Sequence, residues 1–167
     1  MADFRQALRE RVVLVADGAT GTTLQRAGLP AGAAPERWNV KRPDAIRDLH
    51  RGYVAAGADL ILTNTFGGNR YRLERDGLVD RAHEINVAAA TVAREAADGA
   101  GRVVFVAGDI GPTGQMLAPL GALSYDDAAA AFAAQAEALV AGGVDVLLIE
   151  TMSDLNEAQA AIEGVRQ

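Results

Sequence analysis

Four short runs of consecutive apolar residues, rich in β-branched side chains, punctuate this sequence at 12–16, 59–63, 103–107 and 144–149. None alternates apolar with polar, as a strand with one wet face would. Each therefore suits a strand covered on both faces of a parallel sheet. Every run gives way to polar residues or glycine at its C-terminal end. Helical patterns fill the intervals. Residues 43–56 open with Pro43 in a first-turn position, and Gly57 closes them. From 78 to 97, Leu78, Ala82, Ile85, Ala89 and Val92 step by three and four along one helical face. Ser124, with Asp127 three residues on, predicts a capped helix running to Gly142 and Gly143. Ser153 predicts the cap of a last helix through Val165, and a short helix precedes the first strand. The order β-α-β-α-β-α-β-α implies parallel strands joined by right-handed crossovers. Residues 29–37, with two prolines among glycine and alanine, read as an irregular loop inside the first unit.

With 167 residues, half of them hydrophobic, the chain can bury one core and fits one domain or part of a larger one. The net charge of −6 argues against a nucleic-acid partner, which needs clustered Lys and Arg. The densest basic group, Arg70, Arg72 and Arg75, is interrupted by Glu74 and followed by Asp76, the pattern of a solvated face. No apolar run approaches the ~20 residues of a membrane span. The first residues carry no apolar signal region, so the expectation is a soluble, cytoplasmic protein without a membrane partner. There is no cysteine, hence no disulfide, no thiol nucleophile and no thiolate metal ligand. His50 and His83 fall in predicted helices away from the strand ends and lack partners for a metal site. Trp38 reads as a packing residue.

A faint repeat relates 55–62 to 141–148, which sets Asn64 opposite Glu150, and Asp17 to Gly21 echoes Asp109 to Gly114. Repeated βα units that bring polar groups to one strand edge are what a barrel requires, since its site is built at the C-terminal rim. Asp17, directly after the first strand, suits either a tight turn or a ligand ammonium, and Gly18 lets backbone amides approach a carboxylate. In the run Asn64 to Asn69, Phe66 suits an apolar pocket wall or the core, and Asn69 a turn. The glycine-rich stretch 108–114 lacks the Gly-Lys-Ser/Thr ending of a phosphate loop and reads as rim-shaping, with Asp109 structural. Glu150 ends a strongly apolar strand, where a carboxylate either pairs internally or is kept for a cationic ligand group. Asp17 and Glu150 on one rim can hold an amino group while nearby amides take a carboxylate, which is an amino-acid site.

Several ordered motifs together resemble the homocysteine S-methyltransferase family. They are Asp17-Gly18-Ala19-Thr20-Gly21-Thr22, the stretch Ala56 to Gly67 ending Thr63-Asn64-Thr65-Phe66-Gly67, Glu84-Ile85-Asn86, Gly108-Asp109-Ile110-Gly111-Pro112-Thr113-Gly114, and Ile149-Glu150-Thr151. The resemblance implies a (β/α)8 TIM-type barrel, of which residues 1–167 supply about four β/α units, the N-terminal half of a homocysteine-binding domain. It implies methyl transfer to the thiolate of homocysteine, giving methionine. It carries over Asp17, Gly18 and Glu150 as holding homocysteine, and Thr65 and Phe66 as lining the pocket. It assigns no catalytic residue and no metal ligand here. The family's zinc is bound by three cysteines on later strands and keeps the homocysteine sulfur a thiolate, so this chain alone is expected to be inactive. Cobalamin or folate would enter through other domains, and the methyl donor stays open. A missing second half of the barrel, or a second copy of the chain, is the implied protein partner. Two other readings stand beside this one: a metal-free half-barrel module for amino-acid binding or assembly, and a different barrel enzyme using Asp17 and Glu150 as acid and base.

Overall fold

A computed structural model describes residues 3–10 and 13–167. The chain opens with helix α1 (Phe4–Glu10), followed by an extended stretch, α2 (Gly21–Arg26), α3 (Trp38–Lys41) and α4 (Pro43–Ala55). Strand β1 (Leu60–Leu62), α5 (Arg70–Glu74), α6 (Ala82–Asp98) and β2 (Phe105–Ile110) come next. The order ends with α7 (Tyr125–Ala141), β3 (Val146–Ile149) and α8 (Leu155–Gly164). Single 3₁₀ turns at Pro35–Arg37 and Val79–Arg81 lead into α3 and α6. Among the described residues no helix is long and apolar enough to cross a membrane.

The strands form one parallel sheet in the order β1-β2-β3, with Leu60 opposite Phe105 and Ile110 opposite Ile149. Sequence order and spatial order coincide, and successive helices pack on one another, α4 on α6, α6 on α7 and α7 on α8. A sheet that advances one strand per unit, with its helices side by side, is singly wound. A doubly wound sheet would reverse strand order at a switch point.

Alternation along the strands sorts the side chains. Ile61, Val104 and Val106 pack with Ala93, Ala96 and Ala97 of α6, while Ile110, Leu147 and Ile149 meet Phe132, Ala136 and Leu139 of α7. Leu62, Asp109 and Glu150 lie on the other parity and reach an open cleft. The abundant small residues have a steric role: a Cβ on Gly142 would lie 2.4 Å from the Cβ of Ala90, so α7 can end against α6 only with glycine there.

The first expected strand, 12–16, is only partly a strand. Val12 lies outside the described residues. Ala16 forms a single parallel bridge to Leu60, the Val15 carbonyl accepts from the amides of Asp59 and Leu60, and Asp17 N–H donates to Leu60 O. The ladder stops there because Val15 N–H donates to the Asp59 carboxylate, at 3.1 Å, rather than to a strand carbonyl. Two other expectations shift. The third strand does not end at residue 107 but continues to Ile110, so Gly108 and Asp109 belong to β2 and pair with Leu147 and Leu148. The last helix is capped by Asp154, whose carboxylate accepts from Asn156 N–H, and not by Ser153. Thr151, in the left-handed region at φ 57°, turns the chain after β3 and sets that start. The cap at Ser124 is as expected: its hydroxyl oxygen accepts from Asp127 N–H at 3.0 Å and its hydroxyl donates to the Asp127 carboxylate.

Candidate functional site

At the C-terminal ends of the strands a cleft of about 540 Å³ opens. Asp17, Gly18, Asn64, Phe66, Asp109 and Glu150 line it, with the loop around Glu36 and Arg72 of α5 on its far side. Asp17 is fixed by the edge of β1, its carboxylate accepting from Leu62 N–H at 2.9 Å. Burial raises its pKa to about 6; the Leu62 amide opposes this, and the charge of Glu150 adds to it. Beside it, Tyr53 donates its hydroxyl to Ala19 O at 2.9 Å, and a Cβ on Gly18 would meet that phenol at 3.4 Å. The turn after Asp17 is thus tied down from α4. Glu150 N–H donates to Ile110 O, which extends the pairing one residue past β3 and sets the side chain on the cleft.

Of the other expected site residues, Phe66 forms part of the cleft wall, its carbonyl accepting from Gly111 N–H at 3.1 Å. Thr65 stands elsewhere. It is fully buried, and its hydroxyl donates to Asp109 O at 2.7 Å. Because that proton is committed, Thr63 donates to Thr65 at 2.6 Å and itself accepts from Asp109 N–H at 3.0 Å. The bonds close a ring that clamps the Asp109 backbone. The Asp109 side chain has no such partner: it is 6% exposed, and its Oδ1 is buried without a hydrogen bond. Burial, then the charges of Glu150, Asp17 and Glu36, push its pKa to about 8.

A shell of polar residues from distant elements holds the loop 64–69. Asn64 donates to Pro35 O and to the Asn39 side chain, and Asn39 donates to Asn64 O. Gln135, from the middle of α7, donates to Thr65 O at 2.8 Å, and Asn86 of α6 donates to Gly68 O at 2.9 Å. Gly68 is obligatory, since a Cβ there would lie 2.3 Å from Asn86 Oδ1. Buried Glu36 accepts from Gly67 N–H at 2.7 Å, and its burial raises its pKa. Asn69 caps α5 by accepting from Arg72 N–H. Buried Glu157 accepts from the amide and hydroxyl of Thr113, tying the loop after β2 to α8.

The Glu84-Ile85-Asn86 motif resolves into parts: Ile85 and Asn86 face inward, while Glu84 pairs with Arg81 at the surface. Trp38 packs with Leu24, Leu29 and Ile46, and the Arg42 guanidinium sits 4.3 Å over its ring. Among the described residues no group of three His, Cys, Asp or Glu is arranged to hold a metal ion. With no cysteine in the chain, these residues do not fit a thiolate-bound zinc. His50 is buried without a partner for either ring nitrogen, and burial lowers its pKa to about 4. It does not line the cleft.

Residues 14–167 match the family model described as homocysteine S-methyltransferase. The chain belongs to that family. It is 37% identical over 174 aligned positions to the methionine synthase of Mycobacterium tuberculosis (strain ATCC 25618 / H37Rv), and 36% to that of Mycobacterium leprae (strain TN). Each alignment covers 99% of this chain and 14% of the relative, so the chain spans about one seventh of their length. Among solved structures, the Escherichia coli homocysteine methyltransferase MmuM superposes with a TM-score of 0.83 in both its metallated and oxidised forms. The metallated form is 26% identical and the oxidised form 24%. Those superpositions cover 97% of this chain and 61–62% of MmuM. The family fold is therefore shared along nearly the whole chain, an α/β fold with a parallel sheet.

Proposed function

We propose that this chain carries the amino-acid-binding part of a site that methylates the thiolate of homocysteine to give methionine. In this reading Asp17 and Glu150 hold the substrate ammonium, amides beside Gly18 take its carboxylate, and its side chain runs along Phe66. Thr65 serves from behind, by fixing Asp109 and the loop. Family membership and the relatives named methionine synthase support the reaction class. The observation that carries the assignment is the meeting of Asp17 and Glu150, from the sheet's edge run and from β3, on one cleft. Carboxyls gathered at a rim are costly unless a cation joins them.

The domain assignment follows. Residues 1–167 supply four of eight β/α units, and the remaining strands come from further chain, a separate second half or a second copy. The zinc that activates the substrate sulfur takes its cysteines from those strands. On their own, residues 1–167 bind without methylating. Cobalamin or folate chemistry belongs to other domains, and the setting is the cytoplasm.

Calorimetric titration with L-homocysteine tests the assignment. Asp17→Asn and Glu150→Gln should each weaken binding by about 10- to 100-fold, the effect of losing one charge-assisted hydrogen bond of ~1.5–3 kcal/mol. Circular dichroism serves as the check on folding. Unchanged affinity in either folded variant contradicts the assignment.

A further inference from the structure

We propose that Asp109 is a third carboxyl of the amino-group subsite, protonated while the cleft is empty and releasing that proton to solvent when a cationic amino group binds. The inference rests on the reading of the cleft as an amino-acid site. Its basis is geometric. Asp109 lies on the parity of β2 that faces the cleft and lines it together with Asp17 and Glu150. Its backbone is fully engaged: the amide by Thr63, the carbonyl by Thr65 and by Gln135 at 3.3 Å. The carboxyl is the part left over: the residue is 6% exposed, and Oδ1 is buried and unpartnered. A structural aspartate would spend its oxygens on nearby amides, as Asp145 and Asp154 do. This one is held in place and kept free.

The surrounding charges give the state of that carboxyl. Asp17 from the edge run, Glu150 from the end of β3 and Glu36 from the loop before α3 all act on it with negative charge. Arg72, Arg75 and Asp76 line the same cleft, and Arg72 draws on Glu36. With burial added, Asp109 titrates near pH 8, so the empty site holds a proton at neutral pH. An incoming R–NH3⁺ reverses the balance, because its charge favours the ionised form. The exchange is Asp109–COOH plus R–NH3⁺ going to Asp109–COO⁻ with R–NH3⁺ bound, and one H⁺ passing to the buffer. Binding must then strengthen with pH, by about fivefold between pH 7 and 8 for one proton leaving a group that titrates near pH 8. Asp17, which titrates near pH 6, contributes little in that interval.

L-Methionine is the probe, since it has the amino-acid end of homocysteine but no thiol proton to confuse the count. Titrations of the full chain at pH 7 in phosphate and in Tris, which differ in ionisation enthalpy, give the protons released. The expected result is close to one for the wild type and close to zero for Asp109→Asn, with the pH 7-to-8 gain in affinity lost in the variant. The deaminated analogue 4-(methylthio)butanoate should release none. Infrared difference spectra of the wild type should show the protonated carboxyl band disappearing as methionine binds, a readout independent of how the variant folds. Proton release that is absent in the wild type, or unchanged in folded Asp109→Asn, overturns the proposal while the amino-acid reading stands. A folded wild type that binds neither methionine nor homocysteine overturns both.

Discussion

Two of the carboxyls at the rim, Asp17 and Asp109, make the protein's stability a function of pH, and the sign follows from where they titrate. Asp17 and Asp109 are raised to about 6 and about 8, above their unfolded value near 3.8. Between those limits the native state binds more protons than the unfolded state. Stability is therefore full below about pH 4 for these groups and lost as pH rises through 6 and then 8. His50 works from the other side: lowered to about 4, it costs stability as pH falls from its ordinary 6.5 towards 4. Asp109→Asn should thus raise the melting temperature at pH 8 by at least about 2 °C, the least shift that ~1–2 kcal/mol makes in a chain of this size. Below about pH 4, where the carboxyl is neutral in the folded and unfolded states alike, the difference should nearly vanish. Differential scanning fluorimetry at the two values checks this, and an equal shift at both would show that the charge is not the cause. Two of the rim carboxyls were legible from sequence. Asp17 and Glu150 directly follow strongly apolar strands, and a carboxylate there has few structural uses. Asp109 was not, because Gly108 reads as the end of a strand. In the fold that glycine lies inside β2, where a Cβ would come within 2.9 Å of Leu147.

At the level of elements, the internal repeat has a structural meaning. Asp59 N–H donates to Val15 O while its carboxylate accepts from Val15 N–H. Asp145 does the same to Val106, its carboxylate accepting at 2.7 Å. Each aspartate thus satisfies both backbone groups of one residue on the preceding strand, and each sits beside an arginine, Arg102 and Arg94 respectively. Gly57 and Gly143, with φ of 103° and 94°, make the helix-to-strand turn that delivers them. Asp145→Ala should cost about 1–3 kcal/mol, because it leaves the Val106 amide without its acceptor and takes one of three partners from Arg94. Urea unfolding measures it, and a loss under about 0.5 kcal/mol would contradict this role. Helix boundaries were legible where capping is local, as at Ser124. The residues that hold the site loop were not: Gln135 reaches Thr65 across 70 positions, and no short-range pattern encodes such a bond. Tyr53 and Glu36 were missed for the same reason.

Over the whole molecule, a singly wound sheet sends every strand the same way, so polar ends that lie far apart in sequence meet on one rim. That explains why strand-end motifs named the cleft while composition alone named only a class. Below the rim the parity of Asp17 is left exposed at the sheet's first edge, where Val13 and Val15 are 65% and 53% accessible. In the proposed domain, further strands cover that surface and bring the metal ligands to the rim. The central claim, that the rim grips the amino end of an amino acid, is tested most directly by a crystal structure of the chain with L-methionine. The ligand nitrogen should lie within hydrogen-bonding distance of Asp17 and Glu150, its carboxylate at the amides beside Gly18 and its side chain along Phe66. A ligand bound outside the cleft, or turned with its carboxylate towards Asp17, would contradict it.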